Sequence, residues 1–256
     1  MSALAISALV FLLVLGGAAL GAFLRAVLPK HHLSSETKDM VHVGIGLLAT
    51  LAALVLGLLV ASAKSSFDTK SEEVKQAATK LILLDHNLRQ FGPEADAARE
   101  ALRRLVVSKV DLTWVEGDPP AAGAGAAPGV PAAVRIDDIQ SLVLALSPTT
   151  DAQRALQKQA LRLGDDLAQT RWLLVEQTGS SIPTPFLVVL VFWLATISAS
   201  LSLFAPSNGT VIAVCIVCAL SVSSAIFLIL EMDRPFGGLL KIPDAPLRNV
   251  IIQLAR

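Results

Sequence analysis

Residues 40–66 read MVHVGIGLLATLAALVLGLLVASAKSS, and no acidic or strongly basic side chain falls between Asp39 and Lys64. At 1.5 Å per residue that interval makes about 36 Å of helix, enough to cross the roughly 30 Å hydrocarbon core of a bilayer. No glycine or proline interrupts the chain between Gly57 and Gly92. The polar continuation carries apolar residues at Val74, Ala77, Leu81, Leu84, Leu88 and Phe91, spaced three and four apart. That spacing is the signature of a narrow packed seam on one helix face. The sequence therefore predicts one uninterrupted helix from about Met40 to Phe91, its first half in lipid and its second half in water.

Working outward, three further apolar runs complete the pattern, at residues 3–28, 186–204 and 210–230. The composition agrees: 54% of residues are hydrophobic and only 16% charged, well under the usual quarter for soluble domains. The apolar residues are clustered rather than dispersed, as membrane segments require. The first run lacks a basic leader and exceeds the length of a signal-peptide core, so it reads as a retained span. Gly17 and Gly21, extended by Ala18 and Ala22, form a small-residue motif that permits close approach of another helix. Arg25 is expected to snorkel to the headgroups, and Pro29 closes the helix.

Gly92-Pro93 is a stop followed by a restart, and Ala98, Leu102, Leu105 and Leu112 stripe the next helix. Residues 116–133 are rich in Gly, Ala and Pro without periodicity and read as a flexible loop. A short helix at 136–146 precedes a long one, started by Pro148-Thr149-Thr150-Asp151. Its seam runs through Leu156, Ala160, Leu163, Leu167, Thr170 and Leu174, a natural partner for that of the first rod. The fold class expected is all-α: a polytopic membrane protein of four transmembrane helices, with a cytosolic helical insert extending the second and third spans. Residues 1–64 form a first hairpin (spans 3–28 and 40–63) and 65–182 the helical domain. Residues 183–232 form a second hairpin, and 233–256 a cytosolic tail.

With four spans, both termini and the insert share one side. Lys64, Lys70, Lys75, Arg234, Lys241 and Arg248 lie on that side near membrane ends, against Lys30 and Lys38 opposite, with Arg25 at the edge. The positive-inside rule then puts both termini in the cytoplasm. The balance of 21 Lys+Arg against 21 Asp+Glu gives no global field to draw nucleic acid. The two cysteines, Cys215 and Cys218, sit in an apolar run and read as small hydrophobes.

Candidate sites are few. There is no phosphate-binding loop, nucleophile elbow or zinc-protease helix, so no enzyme and no cofactor is expected. Lys64 with Ser62, Ser65 and Ser66 places a cation and three hydroxyls at one membrane mouth, suited to an anion pathway, with Thr50 and Leu54 further along the same span. The competing reading is a snorkelling lysine on a solvated turn. Glu231 and Asp233 suit either a cation such as Ca²⁺ or an ion pair, with Arg234 or with a neighbouring subunit. His31, His32 and His42, near Glu36 and Asp39, suit a proton-sensing cluster or a metal, although their spacing matches no standard zinc site. Glu72-Glu73 and Asp165-Asp166 read as solvated faces. Serines 198, 200, 202, 221, 223 and 224 read as interface packing or as hydroxyls bonded back to helix carbonyls.

Taken with LLDHNLRQFGPEAD, PFLVVLVFWL, APSN, ALSVSSAIFLILEMDRPFGG and APLRN, the stretch LPKHHLSSETKDMVHVGIGLLATLAALVLGLLVASAKSSFDT resembles bacterial bestrophin-like membrane proteins, a domain of unknown function. The likeness covers nearly the whole chain in order. It implies kinship with bestrophins, ring-shaped oligomeric anion channels with four spans and an intervening cytosolic helical part. The Asn-Pro-Pro-Phe type of neck motif and the acidic calcium clasp of animal bestrophins are absent from this sequence, so calcium gating is not implied. The expectation is a homo-oligomeric ring in a bacterial inner membrane, a pentamer by kinship, permeable to inorganic anions such as chloride. Its hydrophobic constriction would lie along the second span. The alternative is a non-conducting scaffold or sensor whose helical domain binds a partner protein.

Overall fold

The computed structural model describes residues 2–29, 34–111, 135–176, 184–206 and 208–255, with the backbone alone for 170–176. Among them the chain is all-helical, with no strand. The order is α1 (Ala3–Val27), α2 (Ser35–Phe91), a 3₁₀ turn (Pro93–Ala95), α3 (Asp96–Val110), α4 (Ile136–Leu144), α5 (Asp151–Glu176), α6 (Thr184–Phe204), α7 (Gly209–Met232) and α8 (Ala245–Leu254). Two compact units result, one of residues 1–66 and 180–233, the other of residues 67–179 and 234–256. The flexible loop expected at 116–133 lies outside the described residues.

Four helices, α1, α2, α6 and α7, are long and apolar enough to cross a membrane. At the starts of α1, α2 and α7 side chains take up orphan backbone N–H groups. Ser2 Oγ accepts from Ala5 N–H, Ser34 Oγ from Thr37 N–H, and Asn208 Oδ1 from Val211 N–H at 3.0 Å. The cap of α2 is Ser34, so the helix begins before the Met40 at which the apolar run opens.

In the first unit α1 packs on α6 and α7. Lipid offers no hydrophobic drive between helices, so close backbone contact and buried polar bonds must hold them. Both occur. A Cβ built on Gly17 would stand 2.4 Å from the Ala195 carbonyl oxygen, and one on Gly21 only 1.9 Å from that of Ala199. The small-residue motif is thus the crossing point of α1 and α6, which run in the same direction. Ser223 Oγ of α7 donates to the Ser7 carbonyl of α1 at 2.7 Å, with both residues buried. Val10, Val14, Val191, Ala219 and Ile226 fill the space between them. Other hydroxyls satisfy themselves locally: Thr196, Ser221 and Ser224 donate to the carbonyls of Phe192, Val217 and Leu220.

The second unit has the core that both polar seams call for. Leu84 and Leu88 of α2 meet Leu102 and Val106 of α3, Ile139 and Val143 of α4, Ala160 and Leu167 of α5, and Val250 and Leu254 of α8. Removing each such side chain from water contributes about 1.5–3 kcal/mol. Gly92, at φ 125°, makes the turn that ends α2. Arg99 Nε donates to Asp85 Oδ1 at 2.8 Å, joining α3 to α2. That hydrogen bond raises the Arg99 pKa from its already high ordinary value, so the cation persists at any working pH. The C-terminal segment contains a helix, α8, packed on α3, which the sequence reading did not assign. The Glu72-Glu73 and Asp165-Asp166 faces are not uniformly solvated. Glu73 Oε2 is buried without a partner among the described residues. Asp165 Oδ1 accepts from Gln140 Nε2 at 2.7 Å, and Asp166 lies 3.8 Å from Lys80 Nζ.

Candidate functional site

The membrane half of α2 is the least covered of the four spans. Only 11% of its most apolar window is buried, against 28% for α1. Ala52, Leu59 and Ala63 pack against Leu190 of α6 and Ile229 of α7. The other side is open along its length. Met40, Val43, Leu47, Leu51, Leu54 and Leu58 are all exposed, Leu47 at 64% and Leu54 at 70%. Successive members stand three or four residues apart, so they form one stripe on a single helix face. Gly44, Gly46 and Gly57 also look onto open space, since a Cβ on any of them would meet nothing within 4 Å.

Against that stripe, the sequence-predicted site residues sort as follows. Leu54 is at its centre, and Ser65 continues it by helical spacing. Thr50 is exposed beside it, with its hydroxyl turned back to the Gly46 carbonyl at 2.9 Å. Lys64 and Ser62 are exposed at the flanks of the stripe. Ser66 is half-buried on the packed side. Packing of Ala63 against Ile229 and Met232 brings the Lys64 turn of α2 and the end of α7 to the same end of the unit. Glu231, 7% exposed, and the half-buried Asp233 are therefore at the Lys64 end. The sequence reading had treated these two sets as separate.

The opposite end holds His42. Its Nδ1 lies 2.7 Å from the Lys38 carbonyl, to which it donates. Its ring is tilted against that of Phe204, centroids 6.1 Å apart. His31 and His32 lie outside the described residues. Among the described residues no group of three or more His, Cys, Asp or Glu side chains could hold a metal ion.

Arg25 is more enclosed than its place near a helix end suggests. The buried residues of α1 run Ala3, Ser7, Val10, Val14, Ala18, Gly21, and Arg25 is the next position on that stripe. It is half-buried, and its Nη1 is buried without a partner among the described residues. The spacing carries this signal: Arg25 continues the interface stripe, so part of its side chain is packed there even at the helix end.

No curated protein and no solved structure matches the chain significantly. A family model, the bestrophin-like domain, matches residues 11–247 and so takes in most of α1, the other three apolar helices whole and nearly all of the second unit. With an all-helical fold, four helices able to span a bilayer and this match over almost its full length, the chain is a membrane protein that belongs to the bestrophin-like family.

Proposed function

We propose that this chain is one subunit of a homo-oligomeric channel for inorganic anions, chloride among them, with the open face of α2 lining the axis. The observation that carries the reading is the uncovered stripe of Leu47, Leu54 and Leu58, exposed along the helix that its own fold covers least. Copies arranged about an axis would turn those leucines inward as a hydrophobic constriction that conducts when wetted. The open glycines at 44, 46 and 57 leave room for a neighbouring helix. Lys64 and Ser65 would stand at one mouth, where a cation and a hydroxyl favour anion entry. Kinship with bestrophins supports the anion preference. The excess of basic residues beside the spans on the insert side supports cytoplasmic termini in a bacterial inner membrane.

The test is chloride efflux from liposomes holding the purified, folded oligomer. Efflux above that of empty liposomes is expected, and silence from intact oligomer would refute conduction. The second reading, a scaffold whose helical unit binds a partner protein, draws on Leu144 and Ile252, which are 64% and 56% exposed on that unit. Stoichiometric recovery of one cytosolic partner, together with no efflux, would favour it.

A further inference from the structure

Arg25 is the one charged residue of α1. Among the described residues it has no hydrogen bond and no ion pair, and its Nη1 is buried. A guanidinium carries five N–H donors and cannot escape its charge by deprotonation. Held at the end of a membrane helix with a buried donor unmet, it requires an acceptor of opposite charge.

The described residues do not supply one. Among the described residues of the first unit the carboxylates are Glu36, Asp39, Glu231 and Asp233. Glu231 and Asp233 are at the opposite end, shown by the packing of Ala63 on Ile229. Glu36 and Asp39 are at the Arg25 end, in the opening turns of α2, but both are exposed and neither meets its buried Nη1. Across α6 the contact is apolar. Gly21 meets the Ala199 carbonyl, so Arg25, one turn on, is level with Leu203 and Phe204. Lys38 stands at that end, and α2 and α7 begin there with the positive ends of their peptide dipoles; α1 and α6 end there with the negative ends of theirs, which are partial charges and leave the cation without a full counter-charge.

We propose that Arg25 is the centre of an oxyanion site that takes a phosphate group. The planar guanidinium fork matches two phosphate oxygens, and the partly exposed side chain can be reached from outside the protein. Arg25 lies three residues before Leu28, the C-cap of α1, which puts it at the depth of lipid headgroups. The phosphate comes either from an anionic phospholipid or from solution. The site stands whether or not the assembly conducts.

The experiment is thermal unfolding of the whole protein in a phosphate-free non-ionic detergent, with phosphatidylglycerol, diacylglycerol or inorganic phosphate added. Phosphatidylglycerol at a hundred times its Kd is expected to raise Tm by about 5 °C or more, and diacylglycerol to leave it unchanged. An equal rise with inorganic phosphate assigns the ligand to solution, and a rise with the lipid alone assigns it to the headgroup. Arg25→Gln should abolish the rise. Arg25→Lys, which keeps charge but loses the fork, should at least halve it, and Arg103→Gln on the second unit should keep it. No rise in the wild-type protein with any phosphate-bearing additive overturns the proposal, however the variants fold. So does an undiminished rise in Arg25→Gln.

Discussion

At the scale of single residues, the two glycines of α1 show how much one Cβ decides. A methyl on Gly21 would lie 1.9 Å from the backbone oxygen of Ala199, which cannot rotate away, whereas one on Gly16 would meet nothing within 4 Å. Gly21→Ala should therefore force α1 and α6 apart and cost about 1–3 kcal/mol. Gly16→Ala should be neutral or stabilising by up to about 1 kcal/mol, because alanine is the better helix former. Thermal unfolding of both variants in detergent checks the contrast, and equal effects would mean that this helix crossing is misplaced. Asn87 of α2 gives the reverse case. It is 5% exposed, and its Nδ2 has no acceptor among the described residues. Asn87→Leu removes an unmet donor while keeping the branched four-atom outline of the side chain, so stability should rise by about 1 kcal/mol in denaturant unfolding. A loss would show that the amide has a partner. Neither the glycine contact nor the orphaned amide was settled by the sequence. Spacing announces a close approach without naming the partner, and nothing local distinguishes a satisfied asparagine from an unsatisfied one.

At the scale of elements, the start of α5 shows local chemistry joined to tertiary structure. Thr150 Oγ1 accepts from Gln153 N–H at 3.1 Å, and Gln153 Oε1 accepts from Thr150 N–H at 3.3 Å, a reciprocal capping box. Gln153 Oε1 also takes the Thr149 N–H and hydroxyl, and its Nε2 donates to the Phe91 carbonyl at the end of α2. One side chain thus closes the start of one helix and the end of another. Gln153→Ala should cost about 1–2 kcal/mol. Amide exchange should quicken both at the first turn of α5 and around Phe91 and Gly92; quickening at α5 alone would show that the tie to α2 contributes nothing. The helix start at Thr150 was legible because threonine, acid and following periodicity sit together. The bond to Phe91 was not, because it joins residues 62 positions apart. The helix at Ala245–Leu254 was missed for a related reason. Pro243 and Pro246 suggest broken chain, yet Pro246 stands in the first turn of α8, where no N–H is needed.

At the scale of the whole molecule, the long apolar runs, the uninterrupted Ser35–Phe91 helix and the two heptad-like seams were all readable, because hydrophobic periodicity is imposed by burial itself. Which face of α2 is left open was not readable. Leucine and alanine occupy every side of the span, and only packing against Leu190 and Ile229 removes one side from reach. That open face decides between lipid and water. A thiol in hydrocarbon has no water into which to ionise, whereas a thiol lining a wetted axis forms the thiolate that reacts. In a protein whose Cys215 and Cys218 are replaced by alanine, Leu54→Cys on α2 and Leu13→Cys on α1 make the comparison. Both native leucines are exposed, at 70% and 47%, so neither change opens a cavity. With α2 at the axis, a charged thiol reagent in water should modify position 54 at least tenfold faster than position 13, and the bulky adduct should slow chloride efflux. If both positions react equally slowly in membranes, the leucine stripe faces lipid, and the pathway for anions must be sought away from α2.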